Sequence, residues 1–316
     1  MIEHPFWYVV FNLFVVAMLA LDLLVLHKKD QEVGLKEALG WSAFWIALAL
    51  VFNVGVYFLY DHNKAIEFFT AYVLEKSLSV DNLFVFIMVF GFFKVKPMYQ
   101  HKVLFWGILG ALIMRAVFIF AGVAMIRQFS WMMYVFGAFL IYTGIKMLFS
   151  HDDEHKEFDP NKNKAIQLFK RIFPVINESD SHSFFVRKDK VLYATPLFIC
   201  LLFIELSDLI FAVDSIPAVL AVSKDPFIVY TSNIFAILGL RALYFALSGV
   251  MKYFVYLKFA LSIILSFIGI KMCINEWMKH IGSDFHISNL VSLSVIISLL
   301  TISILASVWI KREKKS

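Results

Sequence analysis

Six carboxylic acids stand inside apolar stretches of this chain: Asp22, Glu75, Asp81, Glu205, Asp208 and Asp214. The densest polar group is Glu75-Lys76-Ser77-Leu78-Ser79-Val80-Asp81-Asn82, with Ala71-Tyr72-Val73-Leu74 before it and Leu83-Phe84-Val85-Phe86 after it. The run over 65–93 is long enough to cross a bilayer, so this octet falls inside the membrane. An acid at bilayer centre costs about 2.5–3.5 kcal/mol on insertion scales. Acids kept at that cost face a bundle interior or a wet cavity and mark ion or proton paths. The cations that could oppose them away from helix ends are Lys76, Arg115 and Arg241. Acids outnumber cations, and the excess points to a cationic substrate.

The spacing sets what can converge. On a continuous helix Glu75, Ser79 and Asn82 share one face, and Asp81 lies roughly 120° away. Glu205, Asp208 and Ser215 also share a face, which Asp214 does not. Pro217 predicts a break in that second acid-bearing helix, because it removes the bond to the Val213 carbonyl beside Asp214. A freed carbonyl there could serve an ion. Carboxylate, amide, hydroxyl and carbonyl are all hard oxygen donors. They suit manganese, magnesium or calcium better than zinc or copper. The nine histidines lie outside the apolar spans or at their ends, which agrees. Cys200 and Cys273 lie within spans, so neither a thiolate metal site nor a disulfide framework is expected.

The remaining charges carry two readings each. Arg115 and Arg241 either neutralise an empty site, keeping its acids ionised without metal, or act as interhelical glue. Lys146 and Lys271 are expected to snorkel from span ends to the interface. His151-Asp152-Asp153-Glu154-His155 reads as a solvated charged loop.

The elements that position these residues are helices. The chain is 61% hydrophobic, with a mean hydropathy of +0.78, which marks an all-α polytopic membrane protein. Nine apolar runs are read as spans: 6–26, 41–60, 66–93, 103–126, 131–149, 193–222, 228–251, 256–274 and 287–310. Nineteen lysines and arginines fall in the loops and tail of one side and four in the loops of the other. The positive-inside rule then puts the N-terminus outside and the C-terminus in the cytoplasm. The same loops account for the net charge of +5 without nucleic acid. The N-terminus, with Glu3 and no lysine or arginine before the apolar run, does not read as a secretory signal.

The organisation is expected to be an N-terminal two-helix segment (1–60), a first three-helix repeat (61–149) and a cytoplasmic loop (150–192). A second repeat (193–274) and a C-terminal span with a basic tail (275–316) complete it. In the loop, Ala165 to Phe173 could form a short amphipathic helix, and residues 184–193 read as a hairpin. The repeat rests on ordered matches. Val80-Asp81 matches Val213-Asp214, with Glu75 and Asp208 each six residues upstream. Arg115-Ala116 matches Arg241-Ala242, and Gly144-Ile145-Lys146-Met147 recurs as Gly269-Ile270-Lys271-Met272. Loop charges give the copies opposite orientation. Inverted repeats are a transporter architecture, with the substrate site near the midplane.

Both acidic segments resemble the signatures of the TerC family, named for tellurium resistance. Glu75 to Asn82 resembles the first, and Glu205-Leu206-Ser207-Asp208-Leu209-Ile210-Phe211-Ala212-Val213-Asp214-Ser215-Ile216-Pro217-Ala218 resembles the second. Ala20-Leu21-Asp22-Leu23, Phe185-Val186-Arg187 and Tyr193-Ala194-Thr195-Pro196-Leu197 also fit. Length and loop pattern are nearest its Alx branch. The resemblance implies an integral protein of the bacterial inner membrane that acts in metal homeostasis, with manganese(II) efflux as the expected activity. It implies Glu75, Asp81, Asn82, Asp208 and Asp214 as ion-site residues. Asp22, Glu205, Ser79, Ser215, Arg115 and Arg241 are accessory candidates. The metal is substrate rather than cofactor; no cofactor is expected, and protons are the candidate coupling ion.

Two other classes compete. An intramembrane aspartyl protease would carry Gly-x-Gly-Asp, which the chain lacks, so no enzyme is expected. A membrane adaptor for stress-response partners would work through loop 150–192 without transport of its own.

Overall fold

The computed structural model describes residues 5–26, 34–93, 95–149, 167, 173–176, 183–188, 191–247, 256–283 and 285–313. Most of these are helical. In chain order the helices are α1 (Pro5–Leu26), α2 (Leu35–Leu59), α3 (His62–Phe92), α4 (Pro97–Gln128) and α5 (Met132–Phe149). A hairpin follows, β1 (Phe185–Lys188) and β2 (Val191–Ala194). Then come α6 (Pro196–Leu220), α7 (Pro226–Leu238), α8 (Leu240–Leu247), α9 (Leu257–His280) and α10 (Asn289–Glu313). Among the described residues, seven helical segments are long and apolar enough to cross a membrane. α3 is not one of the seven.

Local chemistry starts these helices. Asp61 caps α3 by accepting from the Lys64 amide at 2.9 Å, which satisfies one of the amides a helix start leaves unpaired. Asp225 caps α7, accepting from the amides of Phe227 and Ile228. Pro97, Pro196 and Pro226 open α4, α6 and α7, where a missing N–H costs nothing. The 184–193 hairpin is present, pairing Phe185 with Ala194 and Lys188 with Val191. It is anchored to α6 by the tilted ring contact of Phe185 with Phe198, centroids 4.5 Å apart. The expected helix at 165–173 and the charged run 151–155 lie outside the described residues, apart from Gln167 and Phe173.

α3, α4, α6 and α7 pack together as the centre of the bundle. Every residue of α7 from Phe227 to Leu238 is buried, whereas α2 and α10 expose long apolar faces, as helices against lipid do. α5 and α9 form the closest helix pair. The repeated glycines explain it. A methyl group on Gly144 would meet the Ser262 carbonyl at 2.6 Å, and one on Gly269 would meet the Ile141 amide at 3.0 Å. Small residues let two membrane helices approach backbone to backbone. The glycine of the repeated Gly-Ile-Lys-Met motif is therefore a packing residue in both copies.

Two expectations change. Pro217 does not break its helix: α6 runs through it to Leu220, because a membrane helix can tolerate one lost backbone bond. The break falls in the next span, at Gly239 between α7 and α8. There Lys76 reaches from α3 to the Ala236 carbonyl at 3.0 Å. A methyl group at Gly239 would stand 2.9 Å from the Lys76 ammonium and 3.0 Å from Trp45, so a larger residue would have to push the lysine aside. Lys271 also departs from expectation. It is buried and donates to Asn289 at 2.7 Å, while its counterpart Lys146 is exposed beside the Tyr142 ring.

Candidate functional site

Arg115 of α4 is the centre of a buried polar cluster. It is 1% exposed, among Glu75 at 0%, Asn82 and Asp208 at 3%, and Asn233 at 0%. Its Nε donates to Asp208 Oδ2 at 3.2 Å and its NH2 to Asp208 Oδ1 at 3.0 Å. This fork clasps both carboxylate oxygens of α6, the geometry in which arginine binds carboxylate most strongly. NH1 makes an ion pair with Glu75 Oε1 of α3 and donates to Asn233 Oδ1 of α7 at 3.4 Å. The Asn82 amide reaches Asp208 Oδ1 at 3.5 Å. One guanidinium thus joins the four central helices.

The α3 face opposite this arginine carries further oxygens. Tyr72, Glu75 and Ser79 follow at three- and four-residue steps, which stack on one side of a helix. Among the described residues, the Tyr72 hydroxyl, Glu75 Oε2 and the Ser79 hydroxyl are buried without a hydrogen-bond partner. Buried polar groups are almost always satisfied, so orphaned oxygens beside an ion pair indicate a place suited to a ligand that accepts their lone pairs. Glu205, one turn from Asp208, is half-buried. It lies against α4 where Gly110 leaves room: a methyl group there would collide with its carboxylate. Asp208 and Glu205 act on each other electrostatically. Formally, Glu75, Glu205 and Asp208 with Arg115 carry three negative charges and one positive.

The structure therefore brings together Glu75, Ser79, Asn82, Asp208 and Arg115, with Glu205 beside them. It does not bring Asp214 to the arginine. Asp214 is half-buried on another side of α6 and accepts from Thr143 of α5 at 3.4 Å, as the 120° offset of a six-residue step requires. Ser215 is buried without a partner among the described residues. Asp22 and Asp81 stand within α1 and α3, and their side chains fall outside the described residues. Arg241 is buried in α8. Sequence reasoning missed Asn233 and Tyr72. Thr231-Ser232-Asn233, three polar residues inside an apolar span, was the available signal for the first. For Tyr72 it was the three-residue step to Glu75.

Residues 60–315 match the model of the integral membrane protein TerC family. The chain belongs to that family. It is 50% identical over 297 residues to an "Uncharacterized membrane protein STKORF319" of Myxococcus xanthus, covering 94% of this chain and 90% of the relative. It is 44% identical over 316 residues to a protein of Salmonella typhi named "Putative membrane-bound redox modulator Alx", covering 96% and 95%. The protein of that name from Escherichia coli strain K12 is 44% identical over 309 residues, covering 95% and 93%. No solved structure matches the chain.

Proposed function

We propose that this protein is a secondary transporter that exports a divalent cation, manganese(II) first, across the bacterial inner membrane. The carrying observation is the α3 face on which the orphaned oxygens of Tyr72 and Ser79 stand one turn either side of Glu75, which is itself paired with Arg115. Glu75 and Asp208 share the one guanidinium of Arg115. With Glu205 beside them, three acids stand around one arginine, which leaves carboxylate oxygens that the arginine does not use and a divalent cation could take. Hard oxygens favour manganese, magnesium or calcium, and manganese comes from the family resemblance. The proposed ligand set is Glu75, Asp81, Asn82, Asp208 and Asp214, of which Glu75, Asn82 and Asp208 meet at Arg115.

The accompanying architecture is nine spans with two inverted three-helix repeats. Its support is the pairing of α5 with α9 through equivalent glycines, and of α3 with α6 through Glu75 and Asp208. The broken α7–α8 helix is a further transporter trait. This reading puts the N-terminus outside and the C-terminus in the cytoplasm. Reporter tags on the two ends are expected to register opposite sides of the membrane; finding both in the cytoplasm would remove one span and the inverted repeat with it.

The direct test is metal flux in vesicles reconstituted with purified protein and loaded with a pH dye. Manganese is expected to cross faster than zinc or copper, with protons moving oppositely. Faster zinc or copper would overturn the oxygen-ligand assignment. The adaptor reading predicts no flux, with phenotypes that track changes in loop 150–192 alone.

A further inference from the structure

We propose that Lys64, Glu67 and Asp225 form a gate at one end of the cation path, with Glu67 as the last carboxylate a departing divalent cation meets. The proposal rests on the transport reading and names residues that reading does not use. A cavity of about 770 Å³ opens where the start of α3 meets the end of α6, lined by Lys64, Glu67, Ser223, Asp225, Lys271 and Asn289 among others. Glu67 lies on the same flank of α3 as Glu75, eight residues earlier, which is about 12 Å along the axis and ~80° around it. Between them on that flank are Ala71, Thr70 and Leu74, all fully buried. None of these three, nor Glu75, lines the cavity, which reaches α3 no deeper than Glu67.

What sits at the closure is itself a cation. The Lys64 ammonium is 2.9 Å from Glu67 Oε2 and 3.7 Å from Asp225 Oδ2, spanning the mouths of α3 and α7. The Ser223 hydroxyl donates to the same Glu67 oxygen at 2.5 Å, and the Lys271 charge also acts on Glu67. Lys271 is held by Asn289, whose amide donates to the Val222 carbonyl at 3.0 Å. Glu67 is thus linked to the connection before α7 and to α9. A divalent cation arriving from Glu75 would compete with the Lys64 ammonium for the two carboxylates. Displacing it would release α7 from α3 at this end. The ammonium is a tethered counter-ion that holds the gate while the path is empty, and the bond it makes is weak enough to exchange, because the pair is partly exposed.

The test reads closure without needing metal. Ala71→Cys places a thiol between Glu67 and Glu75. Its reaction with a membrane-impermeant, charged thiol reagent is followed in right-side-out and inside-out vesicles, with Cys200 and Cys273 of the parent chain giving the background rate. Adding Lys64→Met or Glu67→Gln is expected to raise the rate about fivefold, the scale of one exposed ion pair. The rise should appear from one side only, the outer one under the charge rule. Lys64→Arg should keep the slow rate. Lys224→Met, which breaks the 3.4 Å pair with Glu276 in the same region, should leave it unchanged. Unchanged rates with both Lys64→Met and Glu67→Gln, or equal rises from both sides, would overturn the gate. Manganese flux with ungated labelling removes the gate alone; gated labelling without flux removes the transport reading alone.

Discussion

Asp208→Asn is expected to abolish manganese efflux while the protein still inserts. Asp208 accepts two hydrogen bonds from Arg115 and one from Asn82. Asparagine keeps the size and one oxygen but loses the charge. It also turns an NH2 group toward a guanidinium that can only donate. Arg115 is then left to Glu75 and Asn233, and the cluster loses one of the carboxylates proposed to hold the cation. Insertion does not suffer, since removing an intramembrane charge makes insertion easier. Glu75→Gln should have the same effect, and the double variant should be no worse than either single one. Residues that act as one unit are non-additive. Metal accumulation in cells making equal amounts of each variant is the measurement. Near-normal efflux from Asp208→Asn would remove the central site and leave the cluster as a brace between helices.

Arg115→Gln should separate those two roles directly. Removing one partner of a buried ion pair costs about 3–5 kcal/mol, because the other charge stays buried and unpaired. Here two carboxylates, on α3 and α6, lose their common counter-ion at once. The thermal midpoint of the purified protein should fall by on the order of 10 °C. If the acids form a cation site, manganese should restore much of that loss, because a ligand bound only by the folded state stabilises it by mass action. Magnesium should restore less, since it gives up its water reluctantly. Melting unmoved by manganese would mean that Arg115 is interhelical glue and nothing more. The wild-type protein, with the arginine in place, should show a smaller metal-induced shift than the variant.

The sequence by itself determined the class of the molecule. Acids in apolar runs and a nineteen-to-four split of basic residues are signals of the bilayer. The apolar runs appear in the structure as helices because a lipid environment leaves the backbone almost no choice but helix. It also determined the face of α3 that matters: Glu75, Ser79 and Asn82 are all buried, as their spacing requires, since side chains three, four and seven apart share a helix face whatever surrounds it. The hairpin at 185–194 was readable for the same local reason. What no spacing could decide was which face of each helix meets which neighbour. Only the packed bundle puts Asp208 rather than Asp214 onto Arg115, and gives Asn233 of α7 a place beside them. Only packing decides that Lys271 is buried against Asn289 while Lys146, in the same four-residue motif, is exposed. The same holds for the break at Gly239 instead of Pro217. A proline's lost bond is a local cost that neighbours can absorb, but the approach of Lys76 and Trp45 to Gly239 exists only once α2, α3 and α7 are brought together.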